Sequence, residues 1–315
     1  MAGTVRTEFG IQIQLGAGSV VAERYVLTGL LGSGSYGEVW SAADAARKWR
    51  HVAVKLLRLG GEVAQGRFES EMRALMLLRP HLHVVELLDH GVHQGQRYMV
   101  MEYLSGGSLA HWLSTRKAAR LLPELPQVWR WFDQICQAMA AAHTLIEPGP
   151  IIHRDINPNN IMLAPRPDGE PIMKVVDFGV ARLGKRQQTA AGEPIGTRGY
   201  MPPEQAAGDC EHMHPSSDVF ALGLLLLEML TLNVCAPDGT PFAKIATQNH
   251  RELGALLPRL RPEVPPALWS VIERALQPQV MGRYEDAEIL RLATLRALKK
   301  VNRTPPAMPG LTIQP

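Results

Sequence analysis

Cysteine is scarce in this sequence: Cys136, Cys210 and Cys235 are the three among 315 residues, far apart and without a CxxC pair. That excludes a disulfide framework and a cysteine-rich metal module, and reduced thiols in a cytoplasmic protein are the plain expectation. A strong charge imbalance is missing too. Lys and Arg exceed Asp and Glu by three, and no basic block is dense enough to track a phosphate backbone, so nucleic acid is not an expected partner. No apolar run reaches the ~20 residues that cross a bilayer. The longest, "VFALGLLLLEML" from residue 219, carries Glu228 and reads as a buried core helix, so no membrane segment is expected. Near the start, "IQIQL" alternates like a strand rather than running basic then apolar like a leader. The composition, 46% hydrophobic and 20% charged, is that of a globular chain able to bury a sizeable core.

The first hundred residues are strand-rich. "RYVLTGLLGSGSYGEVWSAAD" predicts two strands joined by a glycine-rich turn, and "HVAVKLL" a third. One helix interrupts them, with Phe68, Met72 and Leu75 at i, i+4, i+7 and Pro80 as its stop. "HVVELLDHG" and "RYMVMEYL" predict two further strands. After "SGGSL" helices prevail, beginning with a long one from Leu125 that closes at Pro148, Gly149 and Pro150. The layout is α+β: a small sheet lobe, a joint near 102–107 and a larger helical lobe, with a crevice between them as the natural ligand site.

Several residues carry chemistry. Gly32, Gly34 and Gly37 have GxGxxG spacing, which lets backbone approach phosphate oxygens. A strand follows them where a dinucleotide fold would place a helix. Lys55 shares a strand face with Ala53, opposite Val52, Val54 and Leu56. Glu71 lies on the inward stripe of the helix and needs a cation, for which Lys55 is the economical candidate. "NIML" and "IMKVV" flank a proline-interrupted Asp-Gly turn and should pair as a hairpin, bringing Asn160 and Asp177 together at its open end. An amide oxygen and a carboxylate suit Mg²⁺. Asp155, five residues before Asn160, faces the same place and can accept a proton. His212 and His214 lack a third ligand nearby and do not make a metal site.

Taken in order, these motifs resemble the protein kinases, specifically the bacterial eukaryotic-like Ser/Thr kinases. The resemblance implies a two-lobed α+β fold: a small antiparallel sheet with helix C, then a mainly helical lobe. Its implied boundaries are an extension at 1–24, a kinase domain at 25–298 (first lobe to about 101, hinge 102–107, second lobe 108–298) and a Pro-rich flexible tail at 299–315. It implies ATP and Mg²⁺ as cofactors, and proteins phosphorylated on Ser or Thr as partners. ATP would contact Leu31, Gly32, Ser33, Gly34, Gly37, Val39, Ala53, Lys55, Met101 as gatekeeper, Glu102, Leu104 and Met162. Lys55 and Glu71 would form the pair on the phosphates, Asp155 would be the base, and Asn160 and Asp177 would hold the metal. Thr197 would bond Asp155, and Asn157 completes the catalytic set. Structural roles fall to Arg154, Asp218 behind the catalytic loop, and Arg283 paired with Glu204. Arg154 also implies switching by activation-loop phosphorylation, for which Thr189 is the expected phosphosite.

One departure stands out. The family usually has lysine two places after the catalytic aspartate, touching the transferring phosphate, and here that residue is Asn157. Losing such a contact costs on the order of 10²–10³ in rate, so Asn157→Lys is expected to raise kcat. A scaffold of the same fold that acts by contact alone is the competing reading. Such scaffolds lose the base, the metal aspartate or the strand lysine, and this chain keeps all three. A small-molecule phosphotransferase is the third reading; "GTRGYMPPE" and Arg283 argue against it because they build a peptide platform.

Overall fold

The structure, a computed structural model, describes residues 3–7, 10–34, 37–58, 62–167, 169–178, 198–209 and 213–301. A hairpin of β1 (Gly3–Thr7) and β2 (Gly10–Gln14) opens the chain. Then come β3 (Val20–Val21), β4 (Tyr25–Gly34), β5 (Gly37–Asp44), β6 (Arg50–Leu57), α1 (Glu62–Leu77), β7 (Leu87–His93) and β8 (Gln96–Glu102). The strands from β3 onward form one antiparallel sheet in the order β3-β4-β5-β6-β8-β7.

The two faces of that sheet differ, and β6 shows why. Val52, Val54 and Leu56 join Tyr25, Leu27 and Trp40 in a core on the outer face. Ala53, Met99 and Met101 point the other way, into the core that continues through the molecule. Period-two alternation places Lys55 on that second face, toward α1. There Phe68, Glu71 and Leu75 of α1 are buried, while Met76 is exposed.

The second lobe holds α2 (Leu109–Ala118), α3 (Leu125–His143), β9 (Ile161–Ala164), β10 (Ile172–Val175), α4 (Pro203–Ala206), α5 (Pro215–Thr231), α6 (Phe242–Gln248), α7 (His250–Leu260), α8 (Pro266–Ala275) and α9 (Ala287–Val301). Helix α5 is the apolar run singled out above, buried along its length apart from Glu228, and it is the axis around which this lobe packs. His214 caps its N-terminus, accepting from Ser216 N, and Ser217 returns the bond to His214 N. His214 is therefore a helix cap; His212 lies outside the described residues.

One local expectation holds and one shifts. Helix α1 stops at Leu77, before Pro80, because the residue ahead of a proline is disfavoured in helical geometry. Residues 83–86 do not extend β7. Val85 N donates to Val175 O (3.0 Å) and Val175 N to His83 O (2.9 Å), a parallel bridge that ties the small lobe to β10 of the large one.

Candidate active site in the interlobe crevice

The floor of the crevice is built by β9 and β10. They pair antiparallel, Val175 opposite Ile161, so the residues beyond them leave together at the open end. Val176 N donates to Asn160 O (3.0 Å), which brings Asn160 beside Asp177 as the hairpin reading required. Asp177 sits at φ 56°, a left-handed turn that directs its half-exposed side chain into the crevice. Phe178 next to it is fully buried, its ring 4.9 Å from His153.

Lys55 crosses the crevice from above. Its Nζ donates to both Glu71 oxygens (2.7 and 2.8 Å) and to Asp177 Oδ1 (2.6 Å), joining sheet, helix α1 and hairpin in one cluster. One cation between two carboxylates splits their acidities. Burial would lower Lys55, but the charges of Glu71 and Asp177 outweigh it and hold the ammonium protonated. The Lys55 charge holds Asp177 down to about 2. Glu71 is pushed up to about 7 by burial, with Lys55 opposing.

The catalytic-loop candidate is rigidly backed. Asp218, buried in the first turn of α5, accepts from His153 N (2.7 Å), Arg154 N (2.8 Å) and His143 Nε2 (3.0 Å). These bonds fix the loop at Arg154, whose φ is 65°. Burial would raise Asp218, but the His143 and His153 rings and the His153 backbone bond together outweigh it and keep the carboxylate below its ordinary range. His153 Nε2 bonds Val176 O (3.0 Å) while its Nδ1 accepts from Asp155 N (3.3 Å), which puts the ring proton on Nε2 and links the loop to the hairpin. Asn160 Nδ2 then donates to Asp155 O (2.7 Å) and Oδ2 (3.1 Å).

The roof is the β4–β5 turn. Register places Gly32 opposite Val39, and Val39 opposite Lys55, so the glycine strand lies in line with the lysine. Gly37 must be glycine: a Cβ there would lie 2.2 Å from Leu56 O. Leu31, Gly32, Ser33 and Gly34 are exposed along this turn. Ala53 pairs with buried Met101 across β6 and β8, and Leu104 and Val39 pack against the same core. Met162 is half-buried in β9. This cradle fits a nucleoside triphosphate, and the amide oxygen of Asn160 with the carboxylate of Asp177, on residues the hairpin brings together, is a donor set that suits Mg²⁺.

Beyond the loop, Arg283 Nη1 and Nη2 donate to the two Glu204 oxygens (2.7 and 2.9 Å). Thr189 and Thr197 lie outside the described residues. Several participants escaped sequence reasoning. Lys174 Nζ meets Glu102 Oε1 at 2.6 Å and Val84 O at 3.2 Å, pinning the joint to β10. Gln205 Nε2 donates to Arg154 O (3.0 Å). The Tyr200 hydroxyl donates to Glu228 Oε2.

That last carboxyl gives a pH prediction. Burial pushes Glu228 up to about 7, with Lys117 opposing. Its unfolded value is near 4.5, so the folded chain holds an extra proton between the two values. The resulting stability is full below about 4.5 and is lost as pH rises through about 7. The thermal midpoint should therefore fall from pH 5 to pH 8, with Glu228 accounting for at most about 3 kcal/mol. Glu228→Gln should make the slope shallower; an unchanged slope in melts at several pH values would refute the assignment.

Comparison with known proteins points to a family. The family model described as "Protein kinase domain" matches residues 25–292. A probable serine/threonine-protein kinase PknB of Lactococcus lactis is 32% identical over 275 residues, covering 86% of this chain and 41% of that protein. The serine/threonine-protein kinase PrkC of Bacillus subtilis is 31% identical, covering 86% and 40%. The chain thus spans less than half the length of these relatives. The solved kinase domain of Mycobacterium tuberculosis PknI superposes with a TM-score of 0.63 at 22% identity, over 90% of this chain and 99% of that one, a likeness of fold. No helix among the described residues is long and apolar enough to cross a membrane.

Proposed function

The chain belongs to the protein kinase family, and from that premise we propose that it is a non-specific Ser/Thr protein kinase. It would transfer a phosphoryl group from ATP, with Mg²⁺, to hydroxyls of protein substrates. The observation that carries this reading is the convergence of Asp155, Asn160, Asp177 and the Lys55–Glu71 pair on one end of one hairpin. ATP with its metal supplies the transferable phosphoryl group and the neutralising charge.

The chain's own residues do the rest. Lys55, kept charged and held by Glu71, presents a fixed cation toward the phosphates. Asn160 gives its amide hydrogens to Asp155, which leaves its amide oxygen available to hold the metal together with Asp177. Asp155 accepts the proton of the attacking hydroxyl, with its direction set by the bonds that Asn160 and Asn157 make to it. The contact-only scaffold draws no support, since the chain keeps Asp155, Asp177 and Lys55 as candidates for base, metal carboxylate and strand lysine.

Incubating the purified chain with labelled ATP, Mg²⁺ and a generic basic protein tests the proposal, with Asp155→Asn as control. Labelled Ser or Thr that the control fails to produce is the expected result; equal labelling by both, or none by either, refutes it.

The regulatory part of the proposal is autophosphorylation at Thr189. Arg154 supports it: its buried Nε has no partner among the described residues, so an arriving phosphate would meet an unsatisfied donor and a full charge. Phosphopeptide mass spectrometry after incubation with Mg-ATP should find phosphate on Thr189. Phosphate found only elsewhere would rule the site out.

A further inference from the structure

Asn157 is buried, 4% exposed, in the middle of the catalytic loop. Its Oδ1 accepts from Asn159 N (2.9 Å), making it the N-cap of the 3₁₀ turn Pro158–Asn160, with proline at the first position of the turn. Its Nδ2 donates to Asp155 O (3.0 Å) and to Asp155 Oδ1 (3.1 Å). Asn160 holds the other carboxylate oxygen, Oδ2. Each oxygen of the Asp155 carboxylate therefore accepts one side-chain amide, and both amides also hold the Asp155 carbonyl.

A turn cap uses only the acceptor end of the side chain, and serine, threonine or aspartate would serve as well. The donor end is what distinguishes asparagine here, and it goes to the proposed base. We infer that Asn157 is a positioning residue. With Asn160 it clamps the Asp155 carboxylate in one orientation, filling with a neutral amide the place where the family usually has a lysine. A lysine at this position has no acceptor for Asn159 N, so it would lose the cap, and it would set a flexible ammonium against Asp155 in place of the fixed amide. The inference rests on the kinase reading above and reverses the sequence-based expectation for Asn157→Lys, which should not gain activity.

Three variants and one spectroscopic probe test it. Asn157→Ser keeps a neutral cap but is too short to reach the carboxylate. Its thermal midpoint should stay near wild type, kcat should fall about 10²-fold, and KM for ATP should hold within about twofold, since uniform binding is untouched. Asn157→Ala should lose as much kcat and also some stability, because the cap is gone. Asn157→Lys should have a kcat below wild type. A wild-type kcat in Asn157→Ser, or a raised kcat in Asn157→Lys, overturns the inference.

The bond itself is read without turnover from the ¹⁵N signal of the Asn157 side-chain amide, which should move in Asp155→Ala. An unmoved signal overturns the clamp whatever the activity. If the wild-type chain transfers no phosphate, the kinase reading fails by itself. A moving amide signal then upholds the clamp as geometry and ends its role in transfer.

Discussion

Asp155→Asn is expected to lower kcat about 10²–10⁴-fold, roughly 3–5 kcal/mol of barrier, with nucleotide affinity essentially retained. The two side chains are the same size, and the backbone of residue 155 is held independently through His153, Asn157 and Asn160. The loop is anchored beneath by Asp218, which the substitution does not touch. What changes is basicity: an amide cannot take up the hydroxyl proton. A smaller secondary cost follows, because an amide nitrogen at 155 would face the donor of Asn157 or of Asn160. The measurement is steady-state kinetics alongside binding of a fluorescent nucleotide. A variant within tenfold of wild type would remove Asp155 as the base. A variant that lost nucleotide affinity in parallel would show that the carboxylate acts on the ground state.

Much of this arrangement is written in short-range pattern. The alternation of "HVAVKLL" assigned Val52, Val54 and Leu56 to one face and Lys55 to the other, and the sheet buries them accordingly. The helical period placed Glu71 inward, where it meets Lys55. Two short strands around an Asp-Gly turn were enough to bring Asn160 next to Asp177.

What stayed illegible has a different physical origin. "HVV" at 83–85 has the look of a strand start, yet its backbone bonds go to β10, ninety residues away, because sequence does not say which of two edges a short extended piece will join. Lys174 and Glu102 are each unremarkable on their own strands, and only the packing of the lobes makes them partners. Tyr200 and Glu228 are the same case. Asn157 differs again. An asparagine directly before proline is a recognisable turn cap, but that its donor end reaches the Asp155 carboxylate depends on how the loop folds, which no local pattern states.

The largest stability effect is expected at Arg283, which is 3% exposed yet fully charged. Its guanidinium spends all three nitrogens: Nη1 and Nη2 on Glu204, Nε on Gln277 O (2.7 Å), and further bonds to Ser216 O (3.2 Å) and Pro278 O (2.9 Å). It also stacks 4.9 Å from the centre of the Phe220 ring. Arg283→Ala would strand the Glu204 carboxylate and three carbonyls together, so unfolding should become easier by about 3–5 kcal/mol. For a chain of this size that is a fall of about 5–8 °C in the thermal midpoint. Arg283→Lys keeps the charge but not the planar fork, and should recover only part of the loss. Glu204→Gln with Arg283→Met, which removes both charges, should lose less than Arg283→Ala alone, because most of the penalty is the abandoned partner rather than the bond. The pair also seats α4, so Arg283→Ala should lower kcat below what its unfolded fraction explains. If instead the midpoint moves by no more than a surface ion pair would cost, about 1 kcal/mol or less, the bridge is dispensable to the fold and α4 must be held by its packing alone.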